Sequence, residues 1–199
     1  MFPDQLSTPR LHLARVAVPE TPPTALYERF RADGPGERAF THVPEEPFAH
    51  VGDAADHCHE RAREWAAREA VHYVVVPRDD RAGDAPVAGL AAAWFAWELS
   101  TARLGLLLSP PFWGNEYATE TNARLTRLAF ERLDCETVEI SHLVGNDNSR
   151  RAVEKFVERF GGEREGTLRQ EDTVSGEPVD VVQYVVTREQ FEAAEPAER

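Results

Sequence analysis

Two consecutive strand–loop–helix units dominate the sequence. Ala102–Leu108 reads as a strand, and Pro110-Pro111 ends it because proline donates nothing to a ladder. A glycine-containing loop, Phe112–Tyr117, then runs directly into a helix with Ala118, Leu125, Leu128, Ala129 and Leu133 on one face. Thr137–Val144 reads as the second strand. Asn146-Asp147-Asn148 starts the second helix, which carries Ala152, Val153, Phe156, Val157 and Phe160 inward and stops at Gly161-Gly162. Helices with one apolar stripe, fed by strands, must bury that stripe against a sheet, so the chain is expected to be α/β.

The remaining segments fit around this centre. Thr8–Arg15 alternates apolar and polar residues as a strand does. After prolines 19, 22 and 23 comes a short helix near Thr24–Arg31, then a Pro- and Gly-rich stretch, 33–52, expected to be a loop with little regular structure. Asp53 is expected to cap a helix bearing Ala54, Cys58, Ala62, Trp65 and Ala66. Val71–Val76 follows as a strand, Arg78–Ala85 as a polar turn, and Val87–Trp97 as another strand. Strands near Glu165–Gln170 and Val179–Thr187 close a single domain, 1–190, with 191–199 as a frayed acidic tail.

Composition narrows the partners. The 199 residues include 35 Asp and Glu against 22 Lys and Arg, a formal net charge of −13. Such a surface disfavours docking on nucleic acid or on an anionic membrane. Lys155 is the only lysine, a bias that fits solubility in molar salt or an arginine-favouring codon usage. Cys58 and Cys135 form no metal or disulfide pattern. No signal peptide is evident, and the most apolar run, Pro86–Trp97, is too short to span a bilayer, so a cytoplasmic protein is expected.

The order of pieces from Leu104 to Arg169 resembles the GNAT acyl-CoA-dependent N-acetyltransferases, in the branch of the RimJ and RimL ribosomal-protein acetyltransferases. The pieces are the strand Leu104–Leu108, the run Pro-Phe-Trp-Gly-Asn-Glu-Tyr-Ala-Thr-Glu at 111–120, Asn146-Asp147-Asn148-Ser149, and the later Glu165-Gly166; Thr8–Leu13 matches the family's opening strand. The resemblance implies a mostly antiparallel, twisted sheet that splays at a central cleft, with helices on both faces and acetyl-CoA as co-substrate. By its pattern, Trp113, Gly114, Asn115, Glu116, Tyr117, Ala118 and Thr119 cradle the diphosphate. Backbone of Leu106, Leu107 and Leu108 faces the thioester, and Asn146 and Ser149 lie beside the pantetheine arm. A loop feeding a helix N-terminus does gather unpaired N–H groups and the positive end of the helix dipole, as a diphosphate needs. Glu116 departs from the pattern: it stands where the family has a second glycine and places a carboxylate near the expected diphosphate.

Direct transfer to a primary amine needs a neutral nucleophile, a donor to the thioester oxygen and a thiol leaving group. The resemblance puts Ser149 opposite the sulfur, although a serine there also serves as a helix cap. The family's tyrosine acid is absent, its position being Val153. Asp172, with Glu171 beside it, matches the position of a carboxylate base, and both also read as solvated loop charges. No metal is expected: in Asp56-His57-Cys58-His59-Glu60 the histidines diverge on a helix. His142 reads as a half-buried structural residue or a wall of the site, and Trp94, Phe95 and Trp97 as core and acceptor wall. The acceptor is expected to be a peptide N-terminus or a small amine, with homodimerisation left open. A non-catalytic binding module is the contrasting reading, resting on Glu116 and the missing tyrosine.

Overall fold

A computed structural model describes residues 2–17, 21–78 and 86–195. Pro19, most of the polar turn expected at 78–85, and residues 196–199 of the expected tail lie outside the described residues. The sheet has eight strands in the order β1-β2-β3-β4-β5-β6-β8-β7. In chain order these are β1 (Gln5–Ser7), β2 (Leu11–Arg15), β3 (Ala70–Pro77), β4 (Gly89–Ala96), β5 (Thr101–Leu108), β6 (Thr137–Leu143), β7 (Glu163–Val174) and β8 (Glu177–Thr187). Every neighbouring pair is antiparallel except β5/β6.

The helices are α1 (Pro23–Phe30), α2 (Val51–Ala67), α3 (Tyr117–Arg132), α4 (Asp147–Arg159) and α5 (Arg188–Ala194). The β5–α3–β6 and β6–α4–β7 connections are both crossovers between parallel strands. Their shared handedness puts α3 and α4 on one face of the sheet, where Leu125, Leu128, Phe156 and Phe160 bury against Leu104, Val138, Ile140 and Tyr184. Leu26 of α1 and Ala54 and Cys58 of α2 pack on the other face, against Val16 and Val74. That pair of helices covers the β2–β4 half of its face.

Three expectations are corrected. Asp53 is not the cap of α2: the helix begins at Val51, His50 is the N-cap, and Asp53 is the third helical residue of a reciprocal capping box. Its carboxylate accepts the N–H groups of Ala49 and His50, at 2.9 and 3.0 Å. The 33–52 stretch is more ordered than its composition suggests, with a 3-10 turn at Glu37–His42 and a bridge between Arg31 and Phe48. The chain stays ordered from Glu189 through Glu195. Thr187 caps α5, Phe191 is buried beside Phe130 and Phe160, and Glu195 pairs with Arg127 and Arg159.

The opening strand is shorter than its pattern implied because Thr8–Arg10 forms a corner between β1 and β2. Thr8 Oγ accepts the N–H of Leu11 at 2.8 Å and donates to the Glu120 carboxylate of α3. The same carboxylate accepts Arg10 N–H at 3.0 Å and Arg10 Nε–H at 2.6 Å. Burial would raise the Glu120 pKa, but these donors outweigh it and hold it below the usual carboxylate value. Two sequence motifs more than a hundred residues apart are therefore one polar junction.

On the α2 face, the Nε2–H of buried His72 donates to Glu64, and Arg61 forks onto Glu64 and Glu60. Burial first, then the Arg61 charge, lowers His72 to a pKa of about 3; burial, Arg61 and His72 lower His57 to about 4.

Glu120→Ala is expected to cost about 2–4 kcal/mol in denaturant unfolding, since it strands three donors at a partly buried corner. For the histidines, the unfolded chain binds more protons than the native chain at every pH below their unfolded value of about 6.5. Stability therefore falls as pH drops through that range. His72 contributes a loss of about 1–2 kcal/mol between pH 6.5 and 5, and His72→Gln should flatten that slope in unfolding curves taken across pH.

Candidate functional site

The site originates in the one parallel pair. β5 and β6 are in register from Thr101/Thr137 to Leu104/Ile140 and then part, while β5 remains paired to β4 as far as Leu108. Ladder hydrogen bonds alternate between the two sides of a strand. Because Ser109 N–H bonds Ala88 O at 2.9 Å, the backbone groups of Gly105 and Leu107 point at β4, and those of Leu106 and Leu108 point into the gap. Leu107 is thus corrected: its amide belongs to the ladder, and Leu106 and Leu108 supply the free edge. Leu108 O accepts the indole N–H of Trp113 at 2.7 Å, which leaves both N–H groups and the Leu106 carbonyl open.

The loop above this edge has the backbone of an anion cradle. Gly114 has φ +77° and Glu116 φ +62°, both left-handed. Alternation of this kind turns successive N–H groups toward one point. The N–H groups of Gly114, Asn115 and Glu116 join no backbone hydrogen bond, and those of Tyr117, Ala118 and Thr119 are the unpaired donors of the α3 N-terminus. A Cβ built on Gly114 would meet nothing within 4 Å, so its glycine serves the dihedral and leaves open space for a ligand. Asn115 donates within the loop to Trp113 O at 3.4 Å. Thr119 is buried, and Tyr117 lies under the Arg10 guanidinium at 5.3 Å.

Glu116 does not aim its carboxylate into the cradle. The side chain pairs with Lys155 of α4, both about three-fifths exposed. The hydrogen bond and charge of that ammonium hold the Glu116 carboxyl below its usual range. Glu116 takes the left-handed backbone that a glycine would take, and the only lysine of the chain neutralises its side chain.

Across the gap, Asn146 caps α4, its Oδ1 accepting Ser149 N–H at 3.1 Å. The cap is therefore Asn146, and the Ser149 hydroxyl has no partner among the described residues. His142 lies on the α3/α4 side of β6, only 6% exposed. Its Nδ1 is 3.0 Å from Leu143 O, which places the proton there and leaves Nε2 a buried acceptor with no partner. Sequence reasoning left His142 between wall and scaffold, and only the contact with the carbonyl of the next residue, Leu143, reveals its tautomer. A cavity of about 270 Å³ lies between Trp113, the Gly145–Asn148 turn and the 3-10 segment Arg38–His42. Arg38 sits over the Trp113 ring at 5.8 Å and Ser109 Oγ bonds Pro35 O at 3.4 Å, so the 33–52 segment forms one wall.

Glu171 and Asp172 lie on β7, two strands from β6 in the sheet. Asp172 pairs with Val179 on the outer strand β7, separated from β6 by β8, and accepts the N–H of its neighbour Thr173 at 2.8 Å. Two strand spacings put it about 10 Å to the side of β6. A bulge between Leu168 and Asp172, pinned by Gln170 N–H on Asp180 at 3.0 Å, displaces it further from simple register. No group of three or more metal-type side chains occurs among the described residues, and no helix there is long and apolar enough to cross a membrane.

Substituting Gly114 by Val should weaken acetyl-CoA binding by at least about tenfold in calorimetry, because it forces a branched residue to positive φ and fills the cradle. Glu116→Gly should change it by less than about fivefold, since an exposed pair is the only interaction removed.

Comparison with known proteins agrees with this geometry. Residues 24–156 match the model of the acetyltransferase (GNAT) domain. A GCN5-related N-acetyltransferase from Brucella melitensis superposes with a TM-score of 0.78 at 20% identity, over 96% of this chain and 81% of that one. The microcin C7 self-immunity acetyltransferase MccE, solved with acetyl-CoA and AMP, gives 0.78 at 15% identity over 94% and 97%. The ribosomal-protein-S5-alanine acetyltransferase of Vibrio fischeri gives 0.75 at 10% identity over 94% and 98%. No curated protein sequence matches. With a splayed parallel pair and a family match over more than half its length, the chain belongs to the GNAT family and is an N-acetyltransferase that uses acetyl-CoA.

Proposed function

We propose that the acceptor is the α-amine at the N-terminus of a polypeptide, as in the ribosomal-protein branch of the family. The observation that carries this reading is that Asp147, the one carboxylate lining the cavity beside the free edge of β5, is already engaged by Arg150. An α-amine has a pKa of about 7.7–8 and is partly neutral at neutral pH, whereas a lysine amine near 10.4 would need a strong base beside it. The cavity of about 270 Å³ at Trp113 and Asn146 suits one terminal residue, with the peptide leaving over the uncovered part of the sheet.

In this reading the neutral amine attacks the thioester carbon. The free N–H groups of the Leu106–Leu108 edge receive the developing oxyanion, and the collapsing intermediate expels the thiolate. The amine proton passes to solvent, and the Ser149 hydroxyl is placed to donate to the sulfur. Gly114–Thr119 hold the diphosphate, and Asn146 fixes the turn that carries Ser149. Asp172 and Glu171, two strands away, act as surface charge that attracts a cationic peptide rather than as the base. The non-catalytic alternative loses its main support because Glu116 is turned to Lys155. The acid-rich, lysine-poor surface is read as an adaptation to molar salt.

The test is an acetyl-transfer assay in molar KCl on peptides with a free α-amine, the same peptides with a blocked terminus and an internal lysine, and small amines. Transfer to free termini only, with kcat/KM rising through an apparent pKa of about 8 as the acceptor loses its proton, is expected. Preference for the blocked, lysine-bearing peptide or for a small amine would overturn the acceptor class. Ser149→Ala should lower kcat by about tenfold or less, because a thiol leaves without strong assistance.

A further inference from the structure

At the end of the sheet opposite the cleft lies a second cavity, of about 770 Å³, bounded by the N-terminal segment, the end of β2, the C-termini of α2 and α3, and the β4–β5 connection. β5 separates the two sites, with Thr101 near one and Leu108 at the other, about 23 Å along an extended strand. The cavity volume falls within the range that encloses a small organic ligand.

Its apolar walls form a corner of two nearly perpendicular aromatic planes. Phe2, Phe95 and Trp97 stack on one another, with centroids 4.7–6.3 Å apart. Trp65 meets Phe2 edge-on at 5.4 Å and 78°. The Trp97 indole N–H donates to Arg68 O at 2.7 Å, which fixes the ring while leaving the side chain 45% exposed. A fixed, half-exposed indole beside a deep apolar corner is a stacking surface with no role in the acetyl-transfer cleft.

The charge around this corner runs against the rest of the molecule. In a chain of net charge −13, Arg15 and Arg68 line it, Arg132 immediately precedes the lining residue Leu133, and Arg124 is close enough to act on the buried Tyr73 hydroxyl. Arg15 lies over the Trp65 face at 4.7 Å. Arg124 and Arg132 bear on the Tyr73 hydroxyl, which bonds Pro3 O at 2.8 Å beside Phe2. The one carboxylate among the lining residues, Asp4, is paired with Arg15 at 3.2 Å. Arg68, Arg124 and Arg132 make no ion pair among the described residues.

We infer that this corner is a second ligand site, for a small planar aromatic anion whose ring stacks on Trp97 against Trp65 and whose carboxylate, sulfonate or phosphate meets Arg68 and Arg132. Stacking supplies the ring's binding and the unpaired guanidiniums select the charge. A cationic ring would meet Arg15 and Arg68 in the lining and only Asp4, already engaged by Arg15.

The test uses two probes with the same rings, 1-anilinonaphthalene-8-sulfonate and its uncharged analogue N-phenyl-1-naphthylamine, titrated by fluorescence with energy transfer from tryptophan. The sulfonate is expected to bind saturably, one per chain, and at least about tenfold tighter than the neutral probe. Arg68→Ala and Arg132→Ala should each weaken the sulfonate about fivefold and leave the neutral probe unchanged. Trp97→Leu should weaken both, and saturating coenzyme A should displace neither. Equal affinity for the two probes, displacement by coenzyme A, or insensitivity to the arginine variants would overturn the site. Both arginines are exposed, so these variants keep the fold, as a melting curve will confirm.

Discussion

The parting of β5 from β6 after Leu104 and Ile140 is the constraint on which the rest of this molecule depends. An antiparallel ladder would have zipped on to the strand ends, but a parallel neighbour arrives from a crossover helix and is free to leave. The departure exposes backbone donors that would otherwise be paired. Unpaired N–H groups persist only where solvent or a ligand satisfies them. The free edge at Leu106 and Leu108 is therefore preformed, and the core on both sides holds it: β4 continues the ladder to Leu108, while β8 holds β6 through Leu143.

The polar junction at Glu120 fixes where the cradle sits relative to that edge. Its carboxylate gathers Thr8 and both the backbone and side chain of Arg10, anchoring the first turn of α3 to the corner between β1 and β2. The cradle residues immediately precede that turn. From the other side, the Trp113 indole clamps the loop onto the end of β5. A loop held at both ends needs no reordering to receive a diphosphate, which lowers the entropic cost of binding.

Much of this was legible in the sequence and some was not, for identifiable reasons. The Pro-Pro stop after β5, the glycine loop and the Asn146 helix start are local signals, and the structure places them where the local chemistry says. The Thr8–Arg10 corner looked like continuous strand because alternation continues through it; what breaks it is a carboxylate from α3, a long-range partner no window contains. His50 displaced Asp53 as the cap of α2 because histidine Nδ1 is an unusual capping acceptor, while Asp53 satisfied the box from inside. Phe191 buries the segment that composition alone marked as an acidic tail. Leu107 could not be separated from Leu106 and Leu108 without knowing which neighbour each amide faced. Asp172 matched a motif position, but the bulge pinned by Asp180 decides where that position falls in space.

A polyanionic co-substrate meets a protein of net charge −13, and the carboxylates near the cleft explain how. Glu116 is paired with Lys155, Glu120 with Arg10, and Asp147 with Arg150. These three carboxylates each touch a cation from the same chain, which leaves the loop's N–H groups and the α3 dipole a larger share of the local field. Acids farther away than a screening length of about 8–10 Å at moderate salt, and less in molar salt, weigh little there. Net charge governs solubility and the choice of partners at long range. The cleft is governed by what lies within a few ångströms of it, and there Glu116, Glu120 and Asp147 each have their own cation.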